Sequence, residues 1–412
     1  MYLASVERPA TGRRSPSVKI AANVLALGTV SLITDVSSEM VTAILPLYLV
    51  IGLGLGPAVY GLVDGLYTGA TALLRLAGGY LADKVQKRKL VAGLGYGISA
   101  VAKAGLLLAG GSLAGIGAAI VADRAGKGLR TAPRDALITL STPAEGLGRA
   151  FGVHRAMDSV GAFAGPLVAI GVLAASAQAF DAVFVTSGCI ATIGVLVLVL
   201  FVRDRPVPLS AGKKVDLRQA AALLRRGRVR LLLAGAVLLG LSTIGDGFVY
   251  LLLQRREDIA IGWFPLLAVG TSLAYLVLAI PLGALADRAG RTRVFLGGYA
   301  ALLTVYLILA TSWSGWGALI TVLILYGVFY AATDGVLMAV AGPLLPAELR
   351  TTGLALIQTG QALAYLVSSV LFGLAWQWWG AAGAIRAVVA AATLTLAGSA
   401  VMLLRTSPRV AS

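Results

Sequence analysis

Twelve long apolar stretches follow one another along this chain, each closed by a polar or Gly/Pro break, and that succession leaves few folds open. They fall at 20–51, 58–82, 89–110, 113–141, 148–174, 180–202, 229–254, 262–286, 292–312, 316–344, 348–376 and 382–404. A helix needs about 20 residues to cross a hydrocarbon core of ~30 Å, and every stretch is that long. Lipid offers the backbone no hydrogen-bond partner, so apolar runs of this length predict helices that satisfy themselves internally. With 58% hydrophobic and 13% charged residues, against roughly 25% charged in soluble domains, the chain carries too much apolar surface for a water-soluble globule. The expected fold is all-α and integral to the membrane, with twelve transmembrane helices.

A short phrase recurs at an offset of 204 residues: Gly79-Tyr-Leu-Ala-Asp83-Lys84 with Lys87, Arg88 and Lys89 behind it, and Gly283-Ala-Leu-Ala-Asp287-Arg288 with Arg291 and Arg293 behind it. Each copy closes a long apolar stretch with a charged cluster. The repeat predicts two pseudo-symmetric six-helix bundles, at 20–202 and 229–404, built from one ancestral unit. Around them lie a tail at 1–19, a basic linker at 203–228 and a second tail at 405–412. Transport of a small molecule is the first function such a duplicated bundle suggests.

The net charge of +16 would suit nucleic acid, but the basic residues sit in alternate connections, not on one surface. Arg8, Arg13, Arg14 and Lys19 precede the first stretch, Lys84 to Lys89 follow the second and Arg149 follows the fourth, while the intervening turns lack Lys and Arg. This positive-inside pattern puts both termini in the cytoplasm of a cell that carries the chain in its plasma membrane. One turn dissents, with Arg255 and Arg256 beside Glu257 and Asp258. The tryptophans, at 263, 313, 316, 376, 378 and 379, all fall at expected outer turns, as an interfacial belt requires. The linker between the bundles reads as a basic segment resting on anionic headgroups; it lacks the aromatic residues that stack on bases, so nucleic acid is not an expected partner. The first stretch is too long for a cleavable signal. Cys189, alone in an apolar stretch, excludes an internal disulfide and reads as a small core residue.

Against this apolar background the first half is heavily charged. A charge at the bilayer centre costs about 2.5–3.5 kcal/mol on insertion scales. Yet the first stretch carries Asp35 and Glu39 one turn apart, the second Asp64 and Arg75 in nearly the same direction, and the third Lys103. The fourth carries Asp123, Arg124, Lys127, Arg130, Arg134 and Asp135 inside an arc of roughly 140°, with Pro133 pointing away. The fifth adds His154, Arg155 and Asp158. Acids and bases nearly balance, which implies mutual pairing around an enclosed polar cavity. In the second half only Asp246 and Asp334 lie deep in apolar stretches, so the chemistry is expected to concentrate in the first bundle. These residues either line a substrate cavity or form a structural ion-pair lattice. Asp35 and Glu39 are the candidates for proton coupling, since two carboxylates one turn apart at mid-depth repel if both ionise. His154, the single histidine, reads either as a pH sensor or metal ligand or as a hydrogen-bonded packing residue.

With the Gly-x-x-x-Asp-Lys/Arg phrase in both halves, the chain resembles the major facilitator superfamily over essentially its whole length. The resemblance implies a conformational latch at Gly79, Asp83, Lys84 and Arg88, whose acid caps a helix of the opposite bundle, with Asp287 and Arg288 in the second copy. Gln86 stands where the family usually has Gly, whereas Gly290 keeps the pattern. Gly152, Gly161, Gly165 and Pro166 in the fifth stretch resemble the glycine-proline motif of exporters in this superfamily; small residues there let helices approach closely. The strings around Asp35-Val-Ser-Ser-Glu39, Asp123 to Asp135 and Phe151 to Asp158 resemble a poorly characterised prokaryotic branch that includes drug and heavy-metal exporters.

The expected function is a secondary transporter, a proton-coupled antiporter exporting a small molecule by alternating access. Proton-coupled uptake of a small anion on Arg75, Arg124, Arg130 or Arg134 and export of a divalent metal on Asp35, Glu39, His154 and Asp158 are the alternatives. An enzyme is not expected, for want of a nucleophile–base pair; Gly126-Lys127-Gly128 lies inside a membrane stretch without the glycine spacing of a phosphate loop. No cofactor or resident metal is expected. The partners are a small-molecule substrate, protons and membrane lipid, and the chain is expected to be a monomer.

Overall fold

A computed structural model of the chain describes residues 20–85, 87–143, 146–204, 227–334, 336–341, 344–345 and 350–406, with the side chains of 75–85, 339, 350–352, 355 and 405–406 outside that description. The expected tails and most of the linker lie outside the described residues.

The described chain is a series of helices: α1 (Ala22–Leu47), α2 (Pro57–Val85), α3 (Arg88–Leu108), α4 (Leu113–Leu140), α5 (Leu147–Ala175) and α6 (Phe180–Phe201), then α7 (Gly227–Leu241), α8 (Asp246–Glu257), α9 (Pro265–Ala289), α10 (Arg291–Ala310), α11 (Trp316–Thr333), α12 (Val336–Ala341) and α13 (Arg350–Thr406). The ends follow local chemistry. Near the end of α1, Pro46 lacks a backbone donor, and the chain widens into a π-helical turn over Tyr48–Gly52. Ser112 caps α4, its hydroxyl accepting from the Gly115 N–H at 3.3 Å. Gly290, at φ +99°, joins α9 to α10 in a single residue that a side chain would strain.

Among the described residues, nine helical runs are long and apolar enough to cross a membrane. At 29 and 28 residues, α2 and α4 match them in length and differ in their load of charge. Four expected stretches take another form. The stretch at 229–254 is two helices, broken at 242–245, because Ser242 and Thr243 turn their hydroxyls onto the Leu239 carbonyl at 3.1 and 2.8 Å. The Ile244 N–H released by the break is taken up by the Tyr306 hydroxyl at 3.0 Å. The stretch at 316–344 stops at Asp334 and restarts as α12. The last two stretches form the single run α13, kinked at Gly380 (φ 72°, ψ 171°), a conformation open essentially to glycine alone.

Two compact units divide the chain, one holding residues up to Thr42 and from Leu73 to Gly212, the other Ala43–Ala72 and the remainder from Lys213. α1 and α2 therefore each contribute to both. In the first unit, Val24, Leu27, Val30, Ala92, Tyr96, Leu137, Ile138, Ala150, Leu198 and Val202 form an apolar cluster uniting α1, α3, α4, α5 and α6.

Five tryptophans are exposed as an interfacial belt requires; Trp376 is not. It is 5% exposed, packs against Phe248 and Phe372, and lies under the Arg255 guanidinium 5.2 Å from its ring. The dissenting charged turn is thus anchored: Arg256 donates to the Ile308 carbonyl at 3.0 Å, and Glu257 accepts from the Gly315 N–H at 2.7 Å. Cys189 is exposed on α6 rather than in the core.

Candidate functional site

In the first unit close backbone approach sets the geometry. A Cβ on Gly161 of α5 would collide with the Leu32 carbonyl oxygen of α1, and one on Gly165 would stand 2.7 Å from Glu39 Cβ and 2.8 Å from the Val36 oxygen. Pro166 beside it is buried. α5 therefore lies directly on α1 along the face that carries Glu39. Gly152 plays no part in this contact, since a Cβ there meets nothing within 4 Å. α3 and α4 approach in the same way, a Cβ on Gly95 falling 2.7 Å from the Gly126 oxygen.

Polar side chains fill the space between these helices. Deepest is a triad in which Asp123 pairs with Lys103 of α3 through one oxygen and with Arg124 through the other. All three are nearly inaccessible, at 8%, 3% and 2% exposure. Ser99 donates to the Asp123 carbonyl at 3.1 Å. One and two turns further along α4, Lys127 stands within electrostatic reach of both Asp35 and Glu39, and Arg130 approaches Asp35 with Nη2 to Oδ1 at 3.9 Å. The Arg130 guanidinium lies over Tyr96, 4.4 Å from the ring centroid. Asp35 and Glu39 thus face the bases of α4.

A second network gathers on Ser31. Its hydroxyl meets His154 Nε2 at 3.0 Å, accepts from Arg134 Nη1 at 3.3 Å and lies 3.5 Å from the Tyr96 hydroxyl. Arg134 also pairs with Asp135 at 3.0 Å and reaches Asp158 at 3.9 Å. His154 Nδ1 stands 3.4 Å from Asp158 Oδ2. His154 is thus hydrogen-bonded through Nε2 and faces Asp158 through Nδ1. Arg155 departs from expectation: it is exposed and makes no ion pair among the described residues, although it acts on His154 and Asp158 through space.

The remaining candidates fall elsewhere. Asp64, expected among the charges of the first bundle, belongs to the second unit, where it accepts from Tyr365 at 3.1 Å and from Ser369 at 2.5 Å. Asp246 opens α8 at the break and accepts from Tyr326 at 3.0 Å and from Tyr330. The two acids act on each other electrostatically, and Gly245 leaves no room for a side chain beside Asp64. Asp334, expected deep in a helix, is the exposed residue that ends α11, where it accepts from Tyr275 at 3.1 Å. Arg75, Gly79, Asp83 and Lys84 lie on α2, with their side chains outside the described residues. Arg88 is 2% exposed, and both of its terminal nitrogens are buried without a hydrogen-bond partner among the described residues. In the second copy Asp287 pairs with Arg291 one turn on, at 3.1 Å, while Arg288 is exposed.

Sequence reasoning overlooked the hydroxyls: Ser31, Tyr96, Tyr326, Tyr330, Tyr365 and Ser369. Their signal was present, since Tyr326 with Tyr330 and Tyr365 with Ser369 are pairs one turn apart on single helix faces.

A series of apolar helices with charge paired between them defines a polytopic membrane protein. The chain belongs to the Major Facilitator Superfamily, whose family model matches residues 27–266 and 256–412. It is a transporter and not an enzyme. An uncharacterised MFS-type transporter of Methanocaldococcus jannaschii is 34% identical over 368 residues, 87% of this chain and 89% of that protein. An uncharacterised protein of Mycobacterium tuberculosis is 34% identical over 169 residues, 41% of each chain. Among solved structures, the nucleoside transporter NupG superposes with a TM-score of 0.77 at 14% identity, over 93% of this chain and 98% of its own. A bacterial homologue of the lysosomal transporter Spinster gives 0.73 at 15%, over 93% and 96%. At these identities the likeness is one of fold.

Proposed function

We propose that the chain is a proton-coupled exporter of a small molecule, working by alternating access as a monomer with twelve transmembrane helices in two pseudo-symmetric bundles. In this reading it resides in the plasma membrane with both termini in the cytoplasm. The observation that carries the reading is the placement of Asp35 and Glu39 opposite Lys127 and Arg130. A proton arriving on Asp35 or Glu39 removes the charge that Arg130 or Lys127 faces, and because a base left unpaired in an interior of low dielectric is costly, the freed base is driven toward another acceptor. Proton occupancy of α1 is thereby linked to the position of α4. The Lys103–Asp123–Arg124 triad braces that helix and the Ser31 network fixes α5 on α1. Asp83, Lys84 and Arg88 serve as the latch by family resemblance.

Uptake of an anion would be favoured by Arg124 or Arg130 facing a cavity without an acid partner. Arg124 pairs with Asp123, and Arg130 approaches Asp35. Metal export loses support because, among the described residues, no three His, Cys, Asp or Glu side chains stand together where they could hold a metal ion. The experiment is flux in proteoliposomes under pH gradients of either sign, after a thermal-stabilisation screen for ligands. A gradient inverted in sign should invert the direction of substrate accumulation, and flux indifferent to the gradient would exclude coupling to protons.

A further inference from the structure

Ser31 of α1, His154 of α5 and Asp158 one turn further along α5 stand in a row, all within the first unit. The Ser31 hydroxyl meets His154 Nε2 at 3.0 Å, and His154 Nδ1 faces Asp158 Oδ2 at 3.4 Å. An imidazole so placed turns one nitrogen to each neighbour, and it can take a proton on one side while it gives one up on the other. Access falls along the row. The Asp158 side chain is 26% exposed, whereas His154 and Ser31 are 2% and 1% exposed, so of the three water approaches the carboxyl end.

Asp158 is held differently from Asp123 and Asp135. Asp123 has a cation on each oxygen, and Asp135 pairs with Arg134 at 3.0 Å. For Asp158 the Arg134 guanidinium stands at 3.9 Å, and Oδ1 is buried without a hydrogen-bond partner among the described residues. An ionised carboxylate with an idle buried oxygen is costly, and a proton on that carboxyl removes the cost. The charged and titratable groups around the row are Asp35 of α1, Tyr96 of α3, Arg134 and Asp135 of α4 and Arg155 of α5, while the end of α6 from Val195 to Val202 is wholly apolar. Asp35 acts on Asp158 through space, so a charge on one opposes a charge on the other.

We propose that Asp158 and Asp35 share one proton, carried between α5 and α1 by His154 and Ser31. Resting on the reading of the chain as proton-coupled, this relay supplies a route by which protons reach the α1 carboxylates. The Asp158 carboxyl gives its proton to His154 Nδ1 as Nε2 gives its own to Ser31 Oγ, and the Ser31 hydroxyl proton passes to Asp35. One carboxyl O–H bond breaks on α5, one forms on α1, and the imidazole ends neutral with its tautomer exchanged. Ser31 and Asp35 are one turn apart, about 5–6 Å between Cβ atoms, a gap that the two side chains can close.

The test uses protons alone, on the purified full-length protein: time-resolved infrared difference spectra after a light-triggered drop in pH, with bands assigned by Asp158→Asn and Asp35→Asn. In the wild type a protonated carboxyl band should appear for Asp158 and then for Asp35. His154→Ala should keep the Asp158 band and delay the Asp35 band at least about tenfold. Imidazole added to that variant should restore the rate; pyrazole, of the same size but with adjacent nitrogens that cannot bridge two partners, should not. Ser31→Ala removes one hydroxyl and should give the same delay, which keeps the test open should His154→Ala misfold. No Asp158 band, an undelayed Asp35 band in Ser31→Ala or His154→Ala, or equal restoration by pyrazole would each overturn the relay. Flux driven by a pH gradient alongside any of these results would remove the relay and keep proton coupling, whereas a delayed Asp35 band with flux indifferent to the gradient would keep the relay and remove the coupling.

Discussion

Arg130 of α4 stands 3.9 Å from Asp35 of α1 while its guanidinium covers the Tyr96 ring at 4.4 Å. One cation is thus shared between a carboxylate at the edge of ion-pair range and an aromatic face that holds it in place. A planar, delocalised guanidinium can stack on the ring while it faces the carboxylate, whereas a compact, strongly hydrated lysine ammonium serves the two partners less well. Arg130→Lys should therefore keep the charge yet lose most transport, with a stability cost of about 0.5–2 kcal/mol from the lost stacking. Parallel flux and thermal-unfolding measurements check this; full activity in Arg130→Lys would show that charge alone matters there.

The buried triad predicts an asymmetry. Asp123→Asn strands two cations, Lys103 and Arg124, and should destabilise by about 3–5 kcal/mol. Lys103→Met leaves Asp123 still paired with Arg124 and should cost clearly less. Thermal unfolding in one detergent ranks the two variants; the reverse order would contradict the pairing.

The fold was legible at the level of apolar length and much less at the level of breaks. Runs of 20 or more apolar residues admit little besides a helix in lipid, which is why α3, α5 and α6 fall within a residue or two of expectation. The interruption before Asp246 escaped notice because Ser242 and Thr243 are short polar residues common inside membrane helices, and only the folded chain brings the Tyr306 hydroxyl to the released Ile244 N–H. The charged face of α4 was readable from a helical wheel. The assignment of Asp64 to the second unit was not, because sequence proximity says nothing of Tyr365 and Ser369, which lie some 300 positions away.

Asp64 offers a test by double-mutant cycle. Tyr365 and Ser369 donate to the same oxygen, Oδ2. Tyr365→Phe and Ser369→Ala should each cost about 0.5–1.5 kcal/mol, and together they should cost more than the sum, because the last donor to a buried carboxylate oxygen is the most expensive to remove. Additive losses would mean that the two hydroxyls act independently of one another.

Along α5 the glycines should separate by environment. Gly161→Leu would drive a side chain into the α1 backbone at Leu32 and should abolish folding or flux, whereas Gly152→Ala meets open space and should be neutral or stabilising by about 0.5–1 kcal/mol through helix propensity. Expression level and thermal midpoint distinguish the two outcomes.

The most direct test of proton coupling compares wild type with Glu39→Gln and Asp35→Asn in proteoliposomes, loaded with a ligand identified by thermal stabilisation and subjected to an imposed pH gradient. Gradient-driven accumulation should disappear in Glu39→Gln, while ligand binding at low pH and substrate exchange without a gradient persist. Accumulation at the wild-type level in both variants would remove the α1 carboxylates from the mechanism and rule out coupling through them.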